Sequence, residues 1–414
     1  MKRLGLPASL FSIALVFLCA AASPAQGAAI VSSQVAELPG AAEKLSAYGG
    51  YVVFSQAESR TRWRLMSWHD GVVTRLNVPA RRLPFDASVG PGPNGSPEVV
   101  FSKCAADPGY HGGRQHEQLA TEWWRAIGCR IFRIMLPNGP AKPIKRIHTP
   151  LGYSDTTPAI WRGNVAFARH LPRPRSTRLY IWHHRDASTV LIGGGPRSCP
   201  SGEVCSHGGR VSATWVNSID LDAQGAAFEW IAQATNSVAG LLAEPEIRMD
   251  PLHDGRQNGP TKIVSDTFFR GTCGGYLVGS PSLSGADVLY DVDLFECERS
   301  ANEEIFNRFV WFLEEHEQEQ TPVAGYGVAV ALTWDHGTAY WIRDQLPSEV
   351  QCQEPGTSAC EQLERKQEAD CMPGYAACGP DVFGHLRGCA PSQGECGLMQ
   401  TRELRAPVRP RARR

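Results

Sequence analysis

The chain has 414 residues, of which 42% are hydrophobic, and its 41 basic and 42 acidic side chains leave a net charge of −1. A balance this close to neutral excludes a broad polyanion-binding surface, and with it a nucleic-acid partner. After the N-terminal segment no run of 18 apolar residues occurs, which excludes a later membrane-spanning helix.

The chain opens with Lys2 and Arg3, followed by a mostly apolar stretch from Leu10 to Ala22 and then by small residues, SPA, ending at Ala25. That order predicts a signal peptide over 1–25 and an exported protein, whether extracellular, cell-wall or periplasmic; the apolar stretch is too short for a membrane span. Leu18 precedes Cys19 where lipoprotein processing needs a small residue, so no lipid anchor is expected.

Next come turn-and-strand units. GPNGSPEVVFSKC at 92–104 joins a turn signal, Asn94-Gly95, to a strand-like run, Val99 to Phe101, that closes at Cys104. The dipeptide predicts a type I′ hairpin turn. The unit recurs as SAYGGYVVFS at 46–55, IWRGNVAFAR at 160–169, LDAQGAAFEW at 221–230, SLSGADVLYD at 282–291 and TWDHGTAYWI at 333–342. Its glycines are Gly50, Gly95, Gly163, Gly225, Gly285 and Gly337. Several units are followed by an aromatic-rich strand (WRLMSW at 63–68, CRIFRIML at 129–136, RLYIWH at 178–183, NRFVWFL at 307–313) and a third short run (GVVTRL at 71–76, PIKRI at 143–147, STVLIG at 188–193, TKIV at 261–264). Repeats of this length made of short strands predict an all-β chain, a β-propeller of about six blades over 40–350. IVSSQVAEL, near the mature N-terminus, is expected to pair into the last blade and close the ring, removing the exposed sheet edge. Within 115–127, Leu119, Trp123 and Ile127 share a helical face, which predicts a short loop helix.

GPNGSPEVVFS and LDAQGAAFEW resemble the turn-strand signature of the TolB-like six-bladed propellers, over most of 45–345, although the family's Ser-Pro-Asp-Gly turn is nowhere intact. The chain is also similar in kind to secreted bacterial propellers that carry paired cysteines. These resemblances imply a fold and an extracytoplasmic setting, not an activity.

Twelve cysteines follow Cys19, an even number that in an exported chain predicts disulfides. Spacing pairs Cys104 with Cys129 across an insertion, Cys199 with Cys205 in a short loop, and Cys273 with Cys297 about Gly285. Cys352, Cys360, Cys371, Cys378, Cys389 and Cys396 crowd into a segment, 351–397, too poor in apolar residues to stand without cross-links. Their pairing stays open among 15 connectivities, and their gaps do not fit the short C-x₂₋₄-C knuckles of zinc sites. A basic tail, 398–414, is expected to be disordered, with at most weak electrostatic contact to an acidic surface.

Catalytic signatures fail one by one. No G-x-S-x-G, H-E-x-x-H or P-loop occurs, and GPGPNG at 90–95 has prolines where a dinucleotide loop needs N–H donors. Asp220, Asp222 and Gln224 begin like a calcium loop, but Ile231 stands where its final Glu belongs, and turn chemistry explains them equally. His111 and His116 lie in the insertion without a third ligand. No catalytic residue, metal or cofactor is therefore assigned. Asp291 and Asp293 alternate onto one strand face and are candidate channel carboxylates, with solvent exposure as the plainer reading. Asp86, Asp155, Asp220 and Asp287 recur near blade starts. Two functions remain. The first is a non-catalytic module that binds an envelope or extracellular protein or glycan through a propeller mouth and its loops. The alternative is a hydrolase or lyase acting on polysaccharide or peptide through mouth carboxylates.

Overall fold

The computed structural model describes residues 32–38, 42–59, 61–108, 121–171, 175–193, 210–236, 240–266, 268–269, 275–284, 287–297, 304–313, 328–335, 338–344 and 396–402. Their strands form six antiparallel sheets. A strand β1 (Ser32–Leu38) precedes blade 1, which contains β2 (Ala42–Tyr48), β3 (Tyr51–Ser59), β4 (Arg62–His69) and β5 (Val72–Arg75). Blade 2 has β6 (Ser88–Pro91), β7 (Pro97–Lys103), β8 (Arg130–Met135) and β9 (Lys142–Pro143). Blade 3 has β10 (Ser154–Trp161), β11 (Asn164–Leu171), β12 (Ser176–Trp182) and β13 (Thr189–Gly193). Blade 4 is larger, with β14 (Arg210–Leu221), β15 (Gly225–Asn236), β16 (Gly240–His253), β17 (Arg256–Gln257) and β18 (Lys262–Asp266). Blade 5 has β19 (Phe268–Phe269), β20 (Gly275–Ser284), β21 (Asp287–Cys297) and β22 (Glu304–Leu313). Blade 6 runs from β23 (Val328–Asp335) through β24 (Thr338–Asp344) and β25 (Cys396–Arg402) out to β1.

The inner strands contact one another in the cyclic order β2, β6, β10, β14, β20, β23 and back to β2, so the sheets close into a six-bladed propeller. β1 supplies the outermost strand of blade 6, the closure expected from IVSSQVAEL. Residues 396–402, expected to straddle the cysteine-rich segment and a disordered tail, instead form β25, paired on both sides with β24 and β1. The run CGLMQTR has no aromatic and no turn glycine to mark it as a blade strand. β16 was equally hidden: Pro245 and Pro251 interrupt its sequence, yet the strand pairs with β15 from Gly240 to Pro251. Proline argues against a central strand because it lacks an N–H donor.

All but one of the apolar clusters sit between adjacent blades. Val53, Leu65, Val89, Val99, Phe101 and Ile134 join blades 1 and 2, while Ala168, Leu179, Val216, Phe228 and Trp230 join blades 3 and 4. Burying one such side chain stabilises by roughly 1.5–3 kcal/mol. Trp63, Trp68, Trp182, Trp230 and Trp341 are all under a tenth exposed, which is the packing role rather than a sugar-stacking one.

Gly50, Gly95 and Gly163 fall between the first and second strands of blades 1, 2 and 3, and Gly225 opens the second strand of blade 4. At the opening unit, Gly95 N–H donates to Gly92 O, and Gly95 alone adopts φ +80°, with no positive φ at Asn94. The turn is therefore a type I turn with Pro93 at its first central position and a left-handed glycine after it, not the type I′ turn predicted from Asn94-Gly95. The predicted loop helix is reduced, among the described residues, to a 3₁₀ turn at Trp123–Arg125; Trp123 is buried, and Ile127 is 63% exposed rather than facing the same core.

Among the described residues no helix is long and apolar enough to cross a membrane.

Candidate functional site

The innermost strands bring six blades to one axial channel, and bulges shape it. Register shifts interrupt β2 between Glu43 and Ser46, β10 between Thr156 and Ala159, β14 between Val216 and Ser218, β20 between Gly279 and Ser282, and β23 between Ala329 and Leu332. An extra residue leaves one N–H outside the ladder and re-aims the side chains beside it. Lys44, Thr157 and Ser280, from blades 1, 3 and 5, hold left-handed backbone at φ 59°, 47° and 47°, and all three line the channel. Such conformations are costly for residues other than glycine and persist only where the surroundings enforce them.

One hydrogen bond recurs around this ring. A hydroxyl or carboxylate on one inner strand accepts the N–H of the next blade: Ser46 from Val89 (2.9 Å), Asp220 from Leu283 (2.7 Å), Ser282 from Trp334 (3.0 Å), Thr333 from Ala47 (3.0 Å). Between blades 2 and 3 Asp86 does the same for Thr157 (2.7 Å). Blade 3 breaks the pattern, because Ala159 occupies the corresponding position and has no oxygen. Leu221 N–H of blade 4 bonds instead to the carboxylate of its neighbour Asp220 (2.9 Å). The junction is held by another route: Thr177 donates its hydroxyl to Thr214 O (2.6 Å) and its N–H to Thr214 Oγ1 (3.1 Å), while His170 bridges Thr156 and Thr177. His170 is 2% exposed, and burial drives its pKa down to about 3, so it stays neutral.

The carboxylates near the axis are occupied. Asp86 accepts Ser102 N–H and Arg81 on one oxygen and Thr157 N–H on the other. Asp220 accepts Leu221 N–H on one, Ser282 hydroxyl and Leu283 N–H on the other; enclosure raises its pKa to about 6 against those bonds. Glu229, on β15, takes the amide of Asn217, the hydroxyl of Ser218 and the bulged N–H of Ser280. Burial raises its pKa, and the charge of Lys44 opposes the rise. Lys44 itself reaches from blade 1 to Asn217 O of blade 4, the opposite side of the ring (3.3 Å). At this layer the cavity measures about 50 Å³, room for a water or two and not for a sugar ring.

Of the sequence candidates, Asp86 and Asp220 do reach the channel wall. Asp155 is fully buried in an ion pair with Arg169 and a hydrogen bond from Thr149, a structural role. Asp291, Asp293 and Asp287 lie on β21, which pairs between β20 and β22 of blade 5. The calcium-loop reading of 220–225 divides into two jobs: Asp220 serves blade 5, and Asp222 accepts the N–H groups of Gln224 and Gly225 to close the hairpin. GPGPNG is the end of β6 and its turn, not a phosphate loop.

Cys104 and Cys129 form the predicted disulfide. Cys199, Cys205, Cys273, Cys352, Cys360, Cys371, Cys378, Cys389, His111 and His116 lie outside the described residues; the backbones of Cys297 and Cys396 are described, at the end of β21 and the start of β25.

The build of one mouth was missed in the sequence reading. Leu83, Trp123 and Cys129 from blade 2's connections pack against Ala213, Trp215 and Ile231 of blade 4, passing over blade 3. Arg175 of blade 3 stacks on Trp124 (5.0 Å). The disulfide pins this cover at both ends of the insertion. A pair of adjacent tryptophans inside a cysteine-bounded insertion was the available signal.

No protein-family model matches the chain, and no curated protein matches it. Solved structures similar to it include TolB from Acinetobacter baumannii, 12% identical at TM-score 0.35 over 66% of this chain and 52% of that one. The propeller domain of the Trilobed protease from Pyrococcus furiosus is 9% identical at TM-score 0.36, over 74% and 78%. An oligogalacturonate lyase in complex with manganese is 10% identical at TM-score 0.39, over 75% and 74%. This chain thus spans about half the length of that TolB. At these scores the blade count and closure rest on the sheet order itself.

Proposed function

We propose that this propeller is a non-catalytic binding module, which engages an envelope or extracellular protein or glycan through the face that carries its long connections. One observation carries the reading. First-to-second and third-to-fourth strand turns are short and emerge on one face; second-to-third and blade-to-blade connections emerge on the other. On that second face stand the described ends of three long connections, 104–129, 194–209 and 345–395, the last running between β24 and β25. Cys104, Cys129, Cys297 and Cys396, the cysteines whose backbone is described, stand at or beside strand ends of that face. Loops hung on a rigid scaffold are where binding surfaces concentrate, and cross-links hold long loops in shape at low entropic cost. Ile127 and the fully exposed Leu151 stand on this face as well. The channel carboxylates, by contrast, are committed to backbone donors, which disfavours a hydrolase or lyase working there.

Site-directed photocrosslinking tests the proposal. A photoreactive residue at Ala106 or Leu151, in oxidised protein added to solubilised envelope, is expected to capture one species at near-stoichiometric yield. The same residue at Asn94, on the turn face, is expected to capture none. Equal capture from both faces, or none from either, sinks the reading.

A further inference from the structure

A second cavity lies between blades 1 and 2 on the face of the long connections, and nothing above uses it. It measures about 770 Å³, within the range of small-molecule sites. Val78, Leu83, Phe85 and Phe101 give it an apolar wall; Arg82 and Lys103 are cationic residues on its lining. Its chemical centre is Arg81, also on the lining, whose side chain is 8% exposed.

Three features mark Arg81 as a built anion receptor. Its guanidinium lies over the rings of Phe85 (5.3 Å) and Trp123 (5.6 Å), which fixes the plane of the fork. Its own backbone is bridged to Trp63 through both N–H and C=O. One terminal nitrogen makes two long bonds, to Asp86 Oδ1 (3.4 Å) and Ser102 O (3.3 Å), while the other bonds to Asp107 Oδ1 (2.5 Å). Asp86 is fully enclosed and bonded elsewhere; Asp107 is partly exposed and belongs to the insertion. Beside them Ser102, on the cavity lining, has a buried Oγ with no hydrogen-bond partner among the described residues, a hydroxyl available to pair with a ligand oxygen.

We infer that this cavity binds a carboxylate carried on an apolar body, with Arg81 and Ser102 holding the carboxylate and the Phe85–Phe101 wall holding the body. Asp107 acts as an internal stand-in: its carboxylate occupies the guanidinium edge that an incoming carboxylate would take. Two sources share this chemistry, a free organic acid and the C-terminal carboxylate of a peptide ending in an apolar residue. The inference does not rest on the binding role proposed above, since it concerns a different set of residues and a small ligand.

Isothermal titration of the oxidised full chain tests it with 3-phenylpropionate and its uncharged amide, and with Gly-Gly-Phe bearing a free or an amidated C-terminus. The free carboxylate of at least one pair is expected to bind about tenfold or more tightly than its amide. Which pair shows the difference identifies the source. Asp107→Asn is expected to tighten that binding several-fold by removing the internal competitor, and Ala80→Trp, placed in the cavity wall, to weaken it by at least tenfold. Circular dichroism and melting of both variants establish that the fold is kept. Equal binding of acid and amide, no binding at 10 mM in the wild type and Asp107→Asn alike, or a weaker ligand affinity in Asp107→Asn overturns the inference.

Discussion

Ser282 accepts Trp334 N–H from the next blade and donates to Asp220 of the previous one, so a single hydroxyl serves two junctions. Ser282→Ala is expected to destabilise by about 1–3 kcal/mol, read as a lower urea midpoint at unchanged slope, because it strands a buried N–H. The opposite change at the odd position is also expected to destabilise. Ala159→Ser would put a hydroxyl at a fully buried position where Leu221 N–H is already bonded, and its unpaired oxygen is expected to cost about 1–3 kcal/mol. His170 makes a pH prediction. Its folded pKa, about 3, lies below the unfolded value of 6.5, so its contribution is complete above pH 6.5 and lost as pH falls toward 3. Between those limits the loss is about 1.4 kcal/mol per pH unit. In His170→Gln that slope is expected to vanish, so the stability gap between wild type and variant should hold constant from pH 8 to about 6.5 and narrow steadily from there to pH 4. A gap that is constant with pH contradicts the assignment. None of these positions could be chosen from the sequence, where Thr156, His170, Thr177 and Thr214 are ordinary strand residues with no shared motif.

The elements were legible wherever a turn glycine or an aromatic alternation marked them. β3, β4, β5, β7, β8, β11, β12, β13 and β15 follow the predicted runs because half-buried antiparallel strands must alternate and their hairpins need special backbone, as Gly95 and Gly163 show at φ +80° and +82°. β16 and β25 were not, because neither prolines nor a short polar run carry that signal, and long-range pairing alone makes them strands. The Cys104–Cys129 bridge was legible for a simple reason: it spans 25 residues at the base of one connection, so spacing alone defines it. Replacing both cysteines by alanine is expected to cost about 2–4 kcal/mol and to loosen the Trp123–Trp215 contact, seen as a red shift in tryptophan emission. At the end of β21 the described register reaches Gly275↔Phe295. Mapping of non-reduced peptides is expected to recover Cys297 joined to Cys273.

Across the whole molecule, blade 6 is assembled from three distant pieces of chain, 32–38, 328–344 and 396–402. Ending the chain after residue 402 is expected to leave melting unchanged, whereas ending it after 395 removes the strand between β24 and β1 and should abolish cooperative unfolding. The cysteine-rich stretch then ceases to be an appendix. Its chain leaves the ring at 344 and re-enters at 396, in the same topological position as the insertion of blade 2. This has a consequence for how the protein is made. Five blades hold nearly all their strands in one continuous stretch, but the sixth must wait for both ends of the chain. A chain made only as far as residue 395 has no partner for either open edge. The ring therefore closes only after 396–402 are made, and its rate is set by how fast two segments more than 350 residues apart find each other.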